Sequence, residues 1–155
     1  MEAPVRTAYF CIVFALSNVG AMAQNAAAVP KLFTSAGDVS ALIAKAKSER
    51  KPDQANYLQP LVQFAPYTAS LEYRVAGLKA NAAVHENEVE MFYVVEGSGT
   101  LVIGGKLADK SIDGGESRRV AKGDFFIVPP NTPHMFTVAE GAEGALVLMS
   151  IHLPK

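Results

Sequence analysis

Two short stretches of the chain carry residue types that bind divalent metals. The first holds His85 and, five positions on, Glu90, at the head of the apolar run Met91-Phe92-Tyr93-Val94-Val95. The second holds His134, which follows the turn-forming segment Pro129-Pro130-Asn131-Thr132-Pro133 and opens the run His134-Met135-Phe136-Thr137-Val138. Imidazole nitrogen and carboxylate oxygen are ordinary ligands of Zn, Mn and Fe. Alternation along a strand puts Glu90 on the same face as Phe92 and Val94, so its charge points at a core. Burying such a charge is costly unless it is paired or metal-bound. The plainer alternative stays open at this point: His85 sits in a polar loop among Glu86, Glu88 and Glu90, and His134 caps a strand. His152, close to the C-terminal Lys155, reads as an exposed strand end; it and Asn87 are lesser candidates for a further ligand. No catalytic residue is assigned. Ser98 and Thr100 have no base at a telling spacing, which leaves nucleophilic catalysis without support.

Stepping outward, the elements that must hold these residues are strands. Short β-branched and aromatic runs recur from Tyr57 onward: Leu61–Phe64, Ser70–Val75, Met91–Val95, Thr100–Ile103, Phe125–Val128, His134–Val138 and Ala145–Ile151. Gly and Pro punctuate them, with Asp113-Gly114-Gly115 as the turn of a polar hairpin. This pattern predicts an all-β sandwich or barrel. Gly104-Gly105 and Gly114-Gly115 read as hairpin turns, not phosphate cradles, because neither opens a helix. One helix is expected over 38–50, with Asp38 as N-cap, with Val39, Leu42, Ile43 and Ala46 at helical spacing, and with Pro52 as its stop. Tyr73 and Arg74 fall on opposite faces of one strand, so only one points inward. Phe92, Phe125, Phe126 and Phe136 read first as core, and some could wall a ligand cavity. Arg118-Arg119 reads as a solvated face.

The spacing of both metal-type segments resembles the cupin family. The family's first motif is Gly, five residues, His-x-His, four residues, Glu, six residues, Gly. Here it reads Gly77, five residues, Ala83-Val84-His85, four residues, Glu90, six residues, Gly97, with Ala83 in place of the first His. The second motif is Gly, five residues, Pro-x-Gly, two residues, His, three residues, Asn. Here it reads Gly123, five residues, Pro129-Pro130-Asn131, two residues, His134, three residues, Val138. Asn131 tolerates the left-handed conformation such a turn needs, whereas Val138 replaces a polar residue. The resemblance covers about Tyr57 to Ile151. It implies a double-stranded β-helix, or jelly-roll, barrel with a short N-terminal helix. It implies metal ligation by His85, Glu90 and His134, with nothing from Ala83. Two His and one carboxylate form a facial triad that suits non-haem Fe(II); with a water they suit catalytic Zn. It also implies a homodimer.

The N-terminal end reads as a targeting segment. Arg6, the apolar run Tyr9–Leu16 and the small-residue site Ala21-Met22-Ala23 follow the order of a secretory signal peptide. The expected division is a signal peptide over 1–23, a flexible lead-in over 24–37 and a single cupin domain over 38–155. The apolar run is too short to span a bilayer, which needs roughly 20 residues, so no membrane association is expected after cleavage. Cys11, the only cysteine, falls within this segment, so the mature chain has neither disulfide nor thiolate ligand. Without Arg6 and Glu2 the chain keeps 13 basic and 14 acidic residues, and no basic stripe suggests a nucleic-acid partner. The expectation is a secreted or periplasmic bacterial protein with a divalent metal (Fe, Mn or Zn) that acts on a small organic substrate by dioxygenase, isomerase or lyase chemistry. The rival expectation is a barrel that binds a small molecule or a metal without turnover.

Overall fold

The computed structural model describes residues 29–78, 80–138 and 144–155. The expected signal peptide and the first residues of the lead-in lie outside that range. The elements are α1 (Ala36–Glu49), β1 (Asn56–Phe64), β2 (Tyr67–Val75), β3 (Glu88–Glu96), β4 (Ser98–Ile103), β5 (Lys106–Ala108), β6 (Ser111–Asp113), β7 (Glu116–Ala121), β8 (Phe125–Val128), β9 (His134–Thr137) and β10 (Ala145–Pro154). Five strands form one antiparallel sheet in the order β1-β2-β10-β3-β8, three form a second in the order β7-β4-β9, and β5-β6 is a separate hairpin. The two larger sheets face each other across a core of Phe92, Val94, Leu101, Val120, Val128, Phe136, Val138, Leu146 and Leu148.

The strand alternation explains why the large sheet is buried on both faces. In β10, Leu146 and Leu148 enter the core between the sheets, while Ala145 and Val147 turn to the opposite face. There they meet Leu61, Leu71, Tyr73 and the helix residues Ile43 and Ala46. Tyr73 therefore packs under the helix, and Arg74 is the residue of that pair turned into the barrel. The four apolar helix positions expected from spacing all face the sheet, but the N-terminus differs. Ser35 is the N-cap, and Asp38 stands at N3 of a capping box: Asp38 N donates to Ser35 Oγ at 3.1 Å, and Ser35 N donates to Asp38 Oδ2 at 2.9 Å. An Asp at N3 satisfies the cap backbone from inside the helix, so the acid signal reads three residues late. Lys31 pairs with Gln63 through two backbone hydrogen bonds, of 3.0 and 2.8 Å, on the outer edge of β1.

Two turns set the strand ends around the metal-type residues. Gly97, between β3 and β4, has φ of 74°, and a Cβ there would lie 1.9 Å from Ala145 O. Only glycine permits that close passage of β10. Asn131 has φ of 59°, the left-handed conformation anticipated for the Pro-Pro-Asn turn. Among the four phenylalanines, Phe92 and Phe136 are fully buried and Phe126 packs against the core. Phe125 is the exception: it is 58% exposed on β8, a four-residue edge strand whose alternate residue turns outward.

Candidate metal centre

His85, Glu90 and His134 converge. One ligand atom from each lies within 4.8 Å of the other two. Glu90 comes from β3 and points between the sheets, where it is 4% exposed. His134 opens β9 and is equally buried. His85 lies in the loop before β3 and is half-buried, and its carbonyl accepts a 2.8 Å hydrogen bond from Asn131 N. The turn preceding His134 thus anchors the loop that carries His85. Ala83 and His134 form a two-way backbone bridge with both N–O distances at 2.9 Å. Directly opposed residues share a face, so position 83 does face the site, with only a methyl group to offer.

The donor atoms fit a divalent cation. His134 Nδ1 stands 3.2 Å from Thr132 O. A carbonyl only accepts, so Nδ1 carries the hydrogen and neutral His134 presents a lone pair at Nε2. That Nε2 lies 2.9 Å from Glu90 Oε2, and His85 Nε2 lies 3.4 Å from the same oxygen. Yet Glu90 Oε2 is a buried oxygen with no properly directed hydrogen bond. Ligands held about 2.1 Å from one ion stand about 3.0 Å apart at a right angle and about 3.4 Å apart at a tetrahedral angle. The two distances match those edges. A proton on His134 would fill the gap only in part; a cation satisfies all three groups.

Burial pushes the Glu90 carboxyl up, but in the metal-free chain contact with His134 in its protonated form and the charges of His134, His85 and His152 outweigh it and hold the group below its ordinary value. A carboxylate that stays ionised despite burial is in the state metal ligation requires. Aromatic rings back the site: Phe92 lies 6.0 Å and Phe136 6.3 Å, centroid to centroid, from His134.

Of the two lesser candidates for a further ligand, His152 comes to Glu90 instead of ending its strand in solvent. It is only 23% exposed at the side chain, with Nε2 3.3 Å from Glu90 Oε1 and Nδ1 2.8 Å from Glu88 Oε2. The alternation Leu146, Leu148, Ser150, all fully buried, carries the signal that places it, because position 152 continues the inward face. Asn87 holds Lys155 N through its backbone carbonyl. Glu72 and Arg74 form a second buried charged pair inside the same barrel, at 2.5 Å. A cavity of about 470 Å³ opens beside it between Asn56, Arg74, Asn81 and Ala83. Phe125 and Phe126 instead line a cavity of about 490 Å³ with Arg118 and Arg119, between the edges of β7 and β8.

Comparison with known proteins agrees with this architecture. The family described as "Cupin domain" matches residues 71–152, and the chain belongs to that family. Among solved structures, the chain is similar to the Cnp3 cupin domain of Schizosaccharomyces pombe, with 16% identity, 66% of each chain covered and a TM-score of 0.55. A protein of Bacillus halodurans gives 17% identity over 81% of this chain and 83% of its own, with a TM-score of 0.59. The FeII form of HppE gives 20% identity and a TM-score of 0.52 over 64% of this chain, which spans about half of it, 52%. At these identities the likeness concerns the fold. No curated relative matches the chain.

Proposed function

We propose that this protein is a secreted or periplasmic metal-dependent cupin acting on a small organic molecule, with one divalent metal held by His85, Glu90 and His134. The observation that carries this reading is the buried, undirected Glu90 Oε2 between two imidazole nitrogens at 2.9 and 3.4 Å. Similarity in fold to HppE, solved in an FeII form, supports it. When bound, Fe, Mn or Zn would supply Lewis acidity or a site for dioxygen. The protein's own part is to hold Glu90 ionised in a largely dry pocket, to fix His134 through Thr132 O, and to wall the site with Phe92 and Phe136. The cavity beside Ala83 and Arg74 is of a size that takes a small ligand. Dioxygenase, isomerase and lyase reactions all suit this arrangement, since the fold does not choose among them. Cleavage after Ala23 and a homodimer complete the proposal; exposed Leu32, Phe33 and Phe64 supply apolar surface for a second copy.

One observation favours a barrel that binds without turnover. Ala83 offers a methyl where the family places a ligand, and Val138 is buried in the apolar core where the family places a polar residue. Elemental analysis of the purified chain, followed by screening of small aromatic, keto-acid and sugar substrates before and after chelation, separates the two. One metal per chain with chelator-sensitive turnover supports the enzyme. Metal without turnover supports the binding barrel, and no metal at all defeats the ligand assignment. N-terminal sequencing of exported protein should begin at Gln24.

A further inference from the structure

The strand register brings the third histidine of the chain to the site. His152 is the direct partner of Glu90 across the β10–β3 ladder, and opposed residues project from the same face. Its ring meets that of His85 edge-on, with centroids 5.7 Å apart. Its two nitrogens have unlike surroundings. Nδ1 lies 2.8 Å from Glu88 Oε2, and a carboxylate only accepts, so Nδ1 carries a hydrogen. In the neutral ring, Nε2 then presents its lone pair toward Glu90 Oε1 at 3.3 Å. Imidazoles that ligate metals commonly donate their other N–H to a carboxylate, which fixes tautomer and ring orientation.

We propose that His152 is the fourth protein ligand, supplied from the C-terminal strand in place of the imidazole that position 83 lacks. The inference rests on the metal reading above and extends it. Nε2 of His134 and of His85 stand 2.9 and 3.4 Å from Glu90 Oε2, ligand-to-ligand separations for bond lengths near 2.1 Å; Nε2 of His152 stands 3.3 Å from the other oxygen, Oε1, outside the tighter group of three, and joins it when Glu90 meets the ion through both oxygens. Glu90 turns Oε2 to His85 and His134 and Oε1 to His152, so both its oxygens face imidazoles. Glu88 is the outer carboxylate that orients His152. The substitution at position 83 then moves a ligand from the loop before β3 to β10 without removing one from the set. The free end of the β10 ladder thereby becomes part of the site: Glu88 pairs with Pro154, and Lys155 N is held by Asn87 O at 2.9 Å.

The chain contains three histidines, so the ligand set can be read directly. Zn(II) is titrated into the full chain, and the imidazole nitrogens are followed by long-range proton–nitrogen NMR. The expected result is that Nε2 of His85, His134 and His152 all move to the position of a metal-bound nitrogen while their Nδ1 atoms stay protonated. His152→Ala should then weaken Zn(II) affinity by about 10- to 100-fold or more, and Glu88→Gln by about 10-fold, as loss of an outer carboxylate does. Ala83→His in the His152→Ala background should recover affinity and a third shifted imidazole. If Zn(II) moves only His85 and His134, with affinity unchanged in His152→Ala, the fourth-ligand inference is overturned and the three-ligand reading stands. If no imidazole responds, both fall.

Discussion

Two glutamates on strands of the same sheet are buried to the same 4% exposure and meet opposite fates. Glu72, on β2, accepts from Arg74 Nε and Nη2 at 2.9 and 2.5 Å and from Asn56 Nδ2 at 3.2 Å. The Arg74 guanidinium in turn lies 4.7 Å over the Phe136 ring. Its partner charge is permanent, because a guanidinium does not titrate in a protein. Glu90, on β3, faces three imidazoles instead, whose ring nitrogens can accept as well as donate. One carboxylate is therefore closed into an ion pair. The other is open to whatever cation its neighbours admit. Burial alone does not distinguish a structural acid from a ligand; the kind of partner does.

The difference predicts contrasting losses. Glu90→Gln should lower affinity for Zn(II) or Fe(II) by at least about 1,000-fold, or about 4 kcal/mol, with the β-rich circular dichroism unchanged. Isothermal titration of the variant checks this; affinity within tenfold of the parent would remove Glu90 from the ligand set. Arg74→Ala should leave metal stoichiometry intact yet cost about 3–5 kcal/mol of stability, because it strands Glu72 without its cation. Replacing both members, Glu72→Leu with Arg74→Met, should recover most of that loss in urea denaturation. A double variant as unstable as the single one would mean that the pair does more than neutralise itself. His85→Ala should change stability by no more than about 0.5 kcal/mol, since the side chain is 36% exposed, while metal retention is lost. A large drop in melting temperature without metal would instead assign His85 a structural role.

The strand set and the convergence of His85, Glu90 and His134 were legible because both rest on local signals: punctuated β-branched runs, and ligand types at spacings that resemble a known pair of motifs. What escaped is set by pairing at long range. β10 continues three residues beyond Ile151 to Pro154, and only its ladder with β3 reveals that His152 stands opposite Glu90. The inward alternation through Leu146, Leu148 and Ser150 was present in the sequence, but the nearness of the chain's end argued for exposure. Glu72 and Arg74 were hidden differently. They are two apart on one strand face, a spacing that identifies a shared side but not whether that side is wet. Ser35 was passed over as N-cap because Asp38, its partner in the capping box, is itself a residue type favoured at caps.

The smallest effect sharpens the comparison in acid. In the metal-free chain, burial opposes the charge on Glu90, but His134, His85 and His152 together hold its carboxyl below the ordinary value of 4.5. A group whose folded value is depressed contributes stability that is fully present above the unfolded value and is lost as pH falls through the folded one. Glu90 should therefore help the apo fold above about pH 4.5 and lose that contribution progressively below it. Glu90→Gln has no carboxyl to titrate at this position, so the stability difference between parent and variant should be flat from pH 7 to about pH 5 on the carboxyl's account and should change only in more acid solution. Urea denaturation in the presence of chelator, repeated across that range, measures the difference. The direction is decisive: the parent must lose stability relative to Glu90→Gln as acid is added. A parent that gains on the variant in acid would mean that the imidazoles do not hold the carboxyl down. Desolvation would then win at Glu90, and the contrast with the Arg74-paired Glu72 would rest on geometry alone.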